Sequence, residues 1–361
     1  MFRQHIFGTG YLGRLLFIAL GVLFLSACGQ EDAGTTAQDG MAAQNVVRGA
    51  GATFPEPLYR AWLDRFKSVE PDLAFSYEAV GSGEGIKRFI AEEVDFGASD
   101  AAMSDAEIAK VSRGAVLVPA TAGMVVLAYN VDGIGPGLKL SRDVLVDIFL
   151  SKIDRWNDPR IADANPGVAL PAKLIQPVVR RDSSGTTFAF SSHLSAISAA
   201  WQNGPGTGKQ IDWPGGVLTG AGNEGVAQKV KVSQGAIGYM EYGFAKRLGL
   251  PMAAVENKAG QFVGPDDASG SSAIAAAADR DLPSNLRLFI PDPPGRESYP
   301  MVSLTWLLLY GTYRDHDTAT ALKALLSWGL SDGQSMATEL GYIQLPKNIV
   351  AKATDALQSI N

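Results

Sequence analysis

The chain has 361 residues, 46% of them hydrophobic and 19% charged, with a net charge of −6. That balance belongs to a packed globular protein, and about 315 residues beyond the N-terminal segments are enough for two domains of ordinary size. The acidic charge, with no basic cluster to displace counterions from a phosphate backbone, excludes nucleic acid as a partner.

The N-terminus reads as an address. Arg3 and Arg14 give it a positive start, and Leu15 to Leu25 is an apolar run of eleven residues, ending in "LSAC". A bilayer span needs ~20 apolar residues, so residues 1–28 are expected to be a signal peptide and not an anchor helix. Cys28, the one cysteine in the sequence, follows small residues at the cleavage point. This is a bacterial lipobox, in which the thiol takes a diacylglycerol and ties the protein to a membrane. Residues 29–45, "GQEDAGTTAQDGMAAQN", are small, polar and aperiodic, a flexible tether spanning roughly 20–25 Å. The mature chain then keeps no cysteine for disulfides or thiol chemistry. His193 and His316 lie far apart with no ligand-like spacing, so neither a metal nor a cofactor is expected.

From residue 46 onward, β-rich runs alternate with helix-like runs. Strands are predicted at 73–80, 94–99, 124–130, 175–180, 235–240 and 303–310. Helices are predicted at 55–68, where Leu58, Trp62 and Phe66 share a face, and at 85–94, 141–151 and 318–331. "GPDDASGSSAIAAAADRDLP" has an Ala-rich middle that suits a helix, and "PDPPG" (291–295) is a turn or a connection between domains. The alternation predicts a layered α/β architecture with mostly parallel sheets.

One local design occurs three times: a small-residue turn leading into a helix. It is seen in "GAGATFPEPLYRAW", in "AVGSGEGIKRFI" and in "VVRRDSSGTTF". Each turn offers what a helix start supplies, namely free backbone N–H groups, small residues that admit an anion, and hydroxyls as further donors. Gly/Ser turns before helices are common, so one alone says little. Three, with Arg180 at the end of a strand before the last, converge on an oxyanion. An acidic protein can hold an anion when fixed dipoles and one guanidinium bind it in place of net charge. A fourth element, "VDFGASDAAMS", offers Asp100, either as an acceptor for a proton on the ligand or as the cap of a helix starting near Ser104.

Catalytic readings fit less well. No G-x-S-x-G elbow has a suitable His downstream. "GSGEGIK" lacks the G-K-[ST] ending of a P-loop, because Ile86 intervenes. Neither a metal cluster nor a covalent nucleophile suited to phosphate esters is visible.

At these residues the sequence resembles the phosphate-binding proteins of bacterial ABC-type phosphate transporters, from about Arg48 to the C-terminus. "GAGATFPEPLY", "VGSGEGIK", "DFGASDAAMS" and "RRDSSGTT" match the family's four ligand segments. "WPGG", "GNEGVA", "GAIGYMEYGFA", "YPMVSLTWLL" and "LSWGLSDGQSMATELGYIQLP" match its other landmarks.

The resemblance implies a two-lobed periplasmic-binding-protein fold (Venus-flytrap, type II) with a two-strand hinge. Lobe I would comprise 46–121 plus 299–361, and lobe II 122–298. It also implies that Thr53, Phe54 (through its backbone N–H), Ser82, Asp100, Arg180, Ser184, Gly185 and Thr186 bind inorganic phosphate, with Asp182 orienting Arg180. Glu84 and Ser183 depart from the expected small residue and glycine, which puts the charge of the rim in doubt. Arg181 is expected at the surface.

The implied function is phosphate binding outside the cytoplasmic membrane by a non-enzymatic, lipid-anchored monomer. Delivery would be to the permease subunits of an ABC importer and its ATPase. The alternatives are a carrier of sulfate or arsenate, a secreted phosphatase, or a structural or adhesive lipoprotein.

Overall fold

The computed structural model describes residues 46–278 and 283–361. The signal peptide, Cys28 and the tether lie outside the described residues. The first part of the chain runs β1 (Val46–Gly51), α1 (Glu56–Phe66), β2 (Ala74–Ala79), α2 (Ser82–Ile90), β3 (Phe96–Ser99) and α3 (Asp105–Ile108), then the long strand β4 (Ala115–Asn130). Next come β5 (Lys139–Leu140), α4 (Arg142–Phe149), α5 (Pro159–Ala164), β6 (Gln176–Arg180), α6 (Gly185–Ile197) and α7 (Ala199–Asn203). β7 (Leu218–Gly220), α8 (Gly222–Val232), β8 (Ala236–Glu241), α9 (Tyr242–Arg247), β9 (Ala254–Glu256), β10 (Phe262–Val263) and α10 (Asp267–Ala278) follow. The chain closes with β11 (Val302–Tyr310), α11 (His316–Leu330), α12 (Ser335–Leu340) and α13 (Lys347–Gln358).

The main sheet has the order β2-β1-β3-β11-β4-β8-β6-β7. Its outer strands are parallel, β1 with β2 and β3 on one side, β6 with β8 and β7 on the other. Its centre is antiparallel, because β11 pairs with β3 and β4, and β4 pairs with β8. The expectation of mostly parallel pairing therefore holds at the flanks and fails in the middle. β11 is the last strand of the chain and returns to the centre against the direction of its neighbours.

β4 joins the two halves. Its first part, to Met124, pairs with β11, and its remainder, from Val125, pairs with β8. It is buried on both faces from Leu117 to Tyr129, as its largely apolar sequence requires. Pro119 sits inside this strand, where a residue without an N–H would normally break the ladder. The register between β4 and β11 slips between Thr305 and Trp306, opposite Thr121 and Pro119, and absorbs it.

Local chemistry explains the helices that frame the cleft. α1 buries Leu58, Tyr59, Trp62 and Phe66 on one stripe, and Trp62 Nε1 donates to the Gly333 carbonyl at 2.9 Å. α2 lies directly on β1: a Cβ on Gly85 would sit 2.4 Å from Gly51 Cα, so only glycine allows that approach. On the other side Tyr239, stacked on Phe190 at 4.4 Å, is wedged beside Phe149 and Trp213 and supports the start of α6. α10 forms as the Ala-rich composition predicts. Its Gly270 faces Met124 and Ile343, and the Ala278 carbonyl accepts from Asn348 Nδ2 at 2.9 Å.

Candidate functional site: an anion cleft between the sheet halves

All three predicted turns are strand–turn–helix units. β1 leads through Thr53 into α1, β2 through Gly81 into α2, and β6 through Ser184 into α6. The order of the sheet sets the first two against the third across a cleft. β3 adds Asp100 from its C-terminal end.

On one wall, Ser82 and Asp100 are buried together. The Asp100 N–H donates to Ser82 Oγ at 3.2 Å, and that hydroxyl lies 3.5 Å from Asp100 Oδ2. Thr305 Oγ1 donates to Asp100 Oδ1 at 2.8 Å. Thr305 is the residue at the β4–β11 register slip, so the irregularity that accommodates Pro119 also aims a hydroxyl at the carboxylate. Asp100 does not cap α3. Ser104 does that itself, accepting from the Glu107 N–H while Glu107 reaches back to the Ser104 N–H. Burial pushes the Asp100 carboxyl up to about 7, against the hydrogen bond from Thr305, the charge of Arg180 and the Ser82 hydroxyl.

On the facing wall, the Arg180 side chain is almost wholly buried. Nε donates to Asp182 Oδ1 at 2.9 Å, Nη2 donates to Asp182 Oδ2, and Nη1 donates to Thr186 Oγ1 at 3.2 Å. The Gly222 N–H donates to the same Asp182 Oδ1 at 2.9 Å. Burial alone would raise Asp182, but the hydrogen bonds and charge of Arg180, with the Gly222 N–H, hold it below the usual carboxylate range. Arg181 is exposed, with its N–H donating to the Gly220 carbonyl. Ser184 caps α6 by accepting from the Thr187 N–H at 3.0 Å.

The two walls touch. A Cβ on Gly185 would stand 2.5 Å from Ser82 Oγ and 2.6 Å from Asp100 Cβ, so glycine is what lets α6 reach the opposite wall. The Gly83 N–H donates to the Ser183 carbonyl at 2.9 Å, which gives the unexpected serine a backbone role. Glu84 bonds Arg88 and Lys87 on its own helix, which partly neutralises its charge at the rim. Phe54 is buried, with Gly123 and Tyr342 beside its ring, and its carbonyl accepts from Tyr342 Oη at 2.7 Å.

A family model described as a PBP superfamily domain matches residues 31–333. The phosphate-binding protein PstS of Pasteurella multocida is 39% identical over 310 residues, covering 85% of this chain and 88% of that protein. The phosphate-binding protein PstS of Methanocaldococcus jannaschii is 36% identical over 337 residues, covering 87% and 86%. The chain belongs to the PstS family of phosphate-binding proteins. Among solved structures, a high-affinity periplasmic phosphate-binding protein bound with phosphate superposes with a TM-score of 0.70 at 23% identity, covering 87% of this chain and 98% of that one. The fold is thus the two-lobed one.

Sequence reasoning missed three residues that complete this cleft. Asn223, buried at the start of α8, donates from its N–H and its Nδ2 to Thr53 Oγ1 at 3.1 and 3.0 Å. Its Nδ2 also donates to Thr186 Oγ1 at 3.2 Å. Glu241 is buried at the end of β8, donates its N–H to Asn223 Oδ1 at 2.9 Å, and is pushed up to about 8 by burial. Thr305 is the third. A signal for Asn223 existed, since "LTGAGNEG" repeats the strand, small turn and helix design. The pairings of Glu241 and Thr305 have no local signature.

Proposed function

We propose that this protein binds inorganic phosphate outside the cytoplasmic membrane and delivers it to the permease subunits of an ABC-type phosphate importer, driven by its ATPase. The ligands are Thr53, the Phe54 N–H, Ser82, Asp100, Arg180, Ser184, Gly185 and Thr186, with Asp182 orienting Arg180. The lobes are 46–121 plus 299–361 and 122–298, hinged where the chain crosses between them. Cys28 carries a lipid anchor, and the carrier works as a monomer without enzymatic activity.

The observation that carries this reading is the opposition of two aspartates, Asp100 and Asp182, across one cleft. Phosphate near neutral pH presents oxygens that accept and at least one hydroxyl that donates. A buried polar group left unpaired costs ~1–3 kcal/mol, so a dehydrated site must answer both kinds. Arg180, the helix-start N–H groups and the hydroxyls serve the acceptors. Asp100, buried and facing those donors, serves the hydroxyl. The names of the 39% and 36% identical relatives support the same ligand.

Isothermal titration tests the reading. Phosphate is expected to bind at one ion per chain throughout pH 6 to 8, arsenate to compete, and sulfate to fail even in large excess. Sulfate competing within about tenfold of phosphate would overturn the role of Asp100, since sites that hydrogen-bond a required group reject analogues lacking it by ~10⁴-fold or more. Turnover of a chromogenic phosphate ester would favour a phosphatase instead. Among the described residues no helix is long and apolar enough to cross a membrane. The anchor is tested by Cys28→Ala, which is expected to leave the membrane fraction while still binding phosphate. Retention of the mutant in the membrane after signal cleavage would sink the lipobox.

A further inference from the structure

The hydroxyls of Thr53 and Thr186 have no fixed polarity of their own, since a hydroxyl offers one donor and two acceptor lone pairs and rotates to suit its neighbours. The surroundings of Asn223 remove that freedom. The Glu241 N–H can only donate, and it meets Asn223 Oδ1 at 2.9 Å, which fixes the amide with its oxygen toward β8 and its nitrogen toward the cleft. The two hydrogens on Nδ2 then go one to Thr53 Oγ1 and one to Thr186 Oγ1, at 3.0 and 3.2 Å. Thr53 Oγ1 also accepts the Asn223 N–H, and Thr186 Oγ1 also accepts from Arg180 Nη1. Both lone pairs on both hydroxyls are therefore filled. Each hydroxyl hydrogen remains to be given away. The nearest protein acceptor for the one on Thr186 is Asn223 Oδ1, at a weak 3.5 Å.

We infer that Asn223 is a specificity-determining positioning residue, which holds the hydroxyls of Thr53 and Thr186 as obligate donors toward an acceptor-rich anion. The inference rests on reading the cleft as a phosphate site. It assigns to α8, the helix after the small-residue turn of "LTGAGNEG", a part in recognition. Thr53 lies on one wall, and Asn223 and Thr186 on the other. The same amide therefore orients both hydroxyls only when the cleft is shut, so donor polarity is established together with closure.

The test is a double-mutant cycle read by phosphate titration on the whole protein, with Asn223→Leu, Thr53→Val and their combination. Losing a fixed donor should weaken binding about tenfold for either single change, equivalent to roughly 1.4 kcal/mol. If Asn223 acts through Thr53, the combination should be barely weaker than the worse single, because residues sharing one network are not additive. Thr53→Ser, which keeps the hydroxyl, should bind as wild type does. A purely structural Asn223 would instead give additive losses, and additivity overturns the assignment, as does Asn223→Leu binding within about twofold of wild type. Melting is recorded for each variant. If the Glu241 N–H left unpaired in Asn223→Leu prevents folding, Asn223→Ser takes its place in the same cycle. Wild-type protein that takes up no phosphate overturns the reading of the cleft itself, whereas wild type that binds beside an additive cycle overturns Asn223 alone.

Discussion

Two aspartates face one cleft and behave in opposite ways. Asp182 keeps its charge because Arg180 grips both of its oxygens and the start of α8 adds an N–H. Asp100 has neutral hydrogen-bond partners, Thr305 and Ser82, and these with the charge of Arg180 do not offset its burial. The same side chain becomes a fixed anion in one place and a group that titrates near neutrality in the other. The difference lies in the partner within bonding distance and not in depth alone.

Breaking the Arg180 side of this pairing should have the largest effect. Arg180→Lys loses the planar fork that bridges Asp182 and Thr186, and phosphate affinity should fall on the order of 100-fold by titration. Arg181→Lys, on an exposed neighbour, should change it less than about threefold. Equal losses would mean that the wrong arginine has been assigned to the cleft.

The Asp100 side sharpens the contrast. Asp100→Asn exchanges an acceptor for a group that also donates, so sulfate should begin to compete, and a rejection of ~10⁴-fold should shrink towards ~10²-fold. Unchanged exclusion of sulfate would show that discrimination lies elsewhere.

Stability against pH separates the two carboxyls by sign. Asp100 is raised above its unfolded value of 3.8, so its contribution is full below pH 4 and is lost as pH rises through about 7. Ligand-free Asp100→Asn should therefore melt with a flatter profile between pH 4 and 7. Asp182 is depressed, so its contribution is present above pH 4 and is lost as pH falls below it. Asp182→Asn should flatten only that acid limb. Identical profiles for the two variants would erase the distinction. The smallest signal expected is in solution scattering: with the two aspartates on the separate lobes proposed above, phosphate should lower the radius of gyration, and an unchanged curve at saturation would point to a rigid cleft.

The parts of this site that could be read from sequence were those built locally. Ser82, Ser184 and Thr186 stand in turns whose small residues precede amphipathic helices, and Arg180 closes a β-branched run. Asp100 stood out because a carboxylate is anomalous among donors. β1 was not expected as a strand, since "VVRGAG" is poor in β-branched residues after Val47. Its Gly49 is dictated from outside, because a Cβ there would collide with the Phe96 ring of β3 at about 2.1 Å. Thr305 and Glu241 reach the cleft through pairing of strands remote in sequence, and no local pattern carries that information. The antiparallel centre was hidden for the same reason, because the direction of β11 is set by where the chain returns.

The lips of the cleft carry their own consequence. Lys209 reaches Glu107 at 2.7 Å, and Arg287 donates to the Met103 carbonyl at 3.1 Å and to Asp105 at 2.5 Å. These pairs lie at the partly exposed edge, where mobile ions compete, with a screening length of about 8 Å at physiological ionic strength. The buried Arg180, Asp100 and Ser82 between the walls are shielded from that competition. Salinity therefore acts on the latch and leaves the grip alone, so brine should hasten the departure of the cargo while barely altering how the closed pocket recognises it.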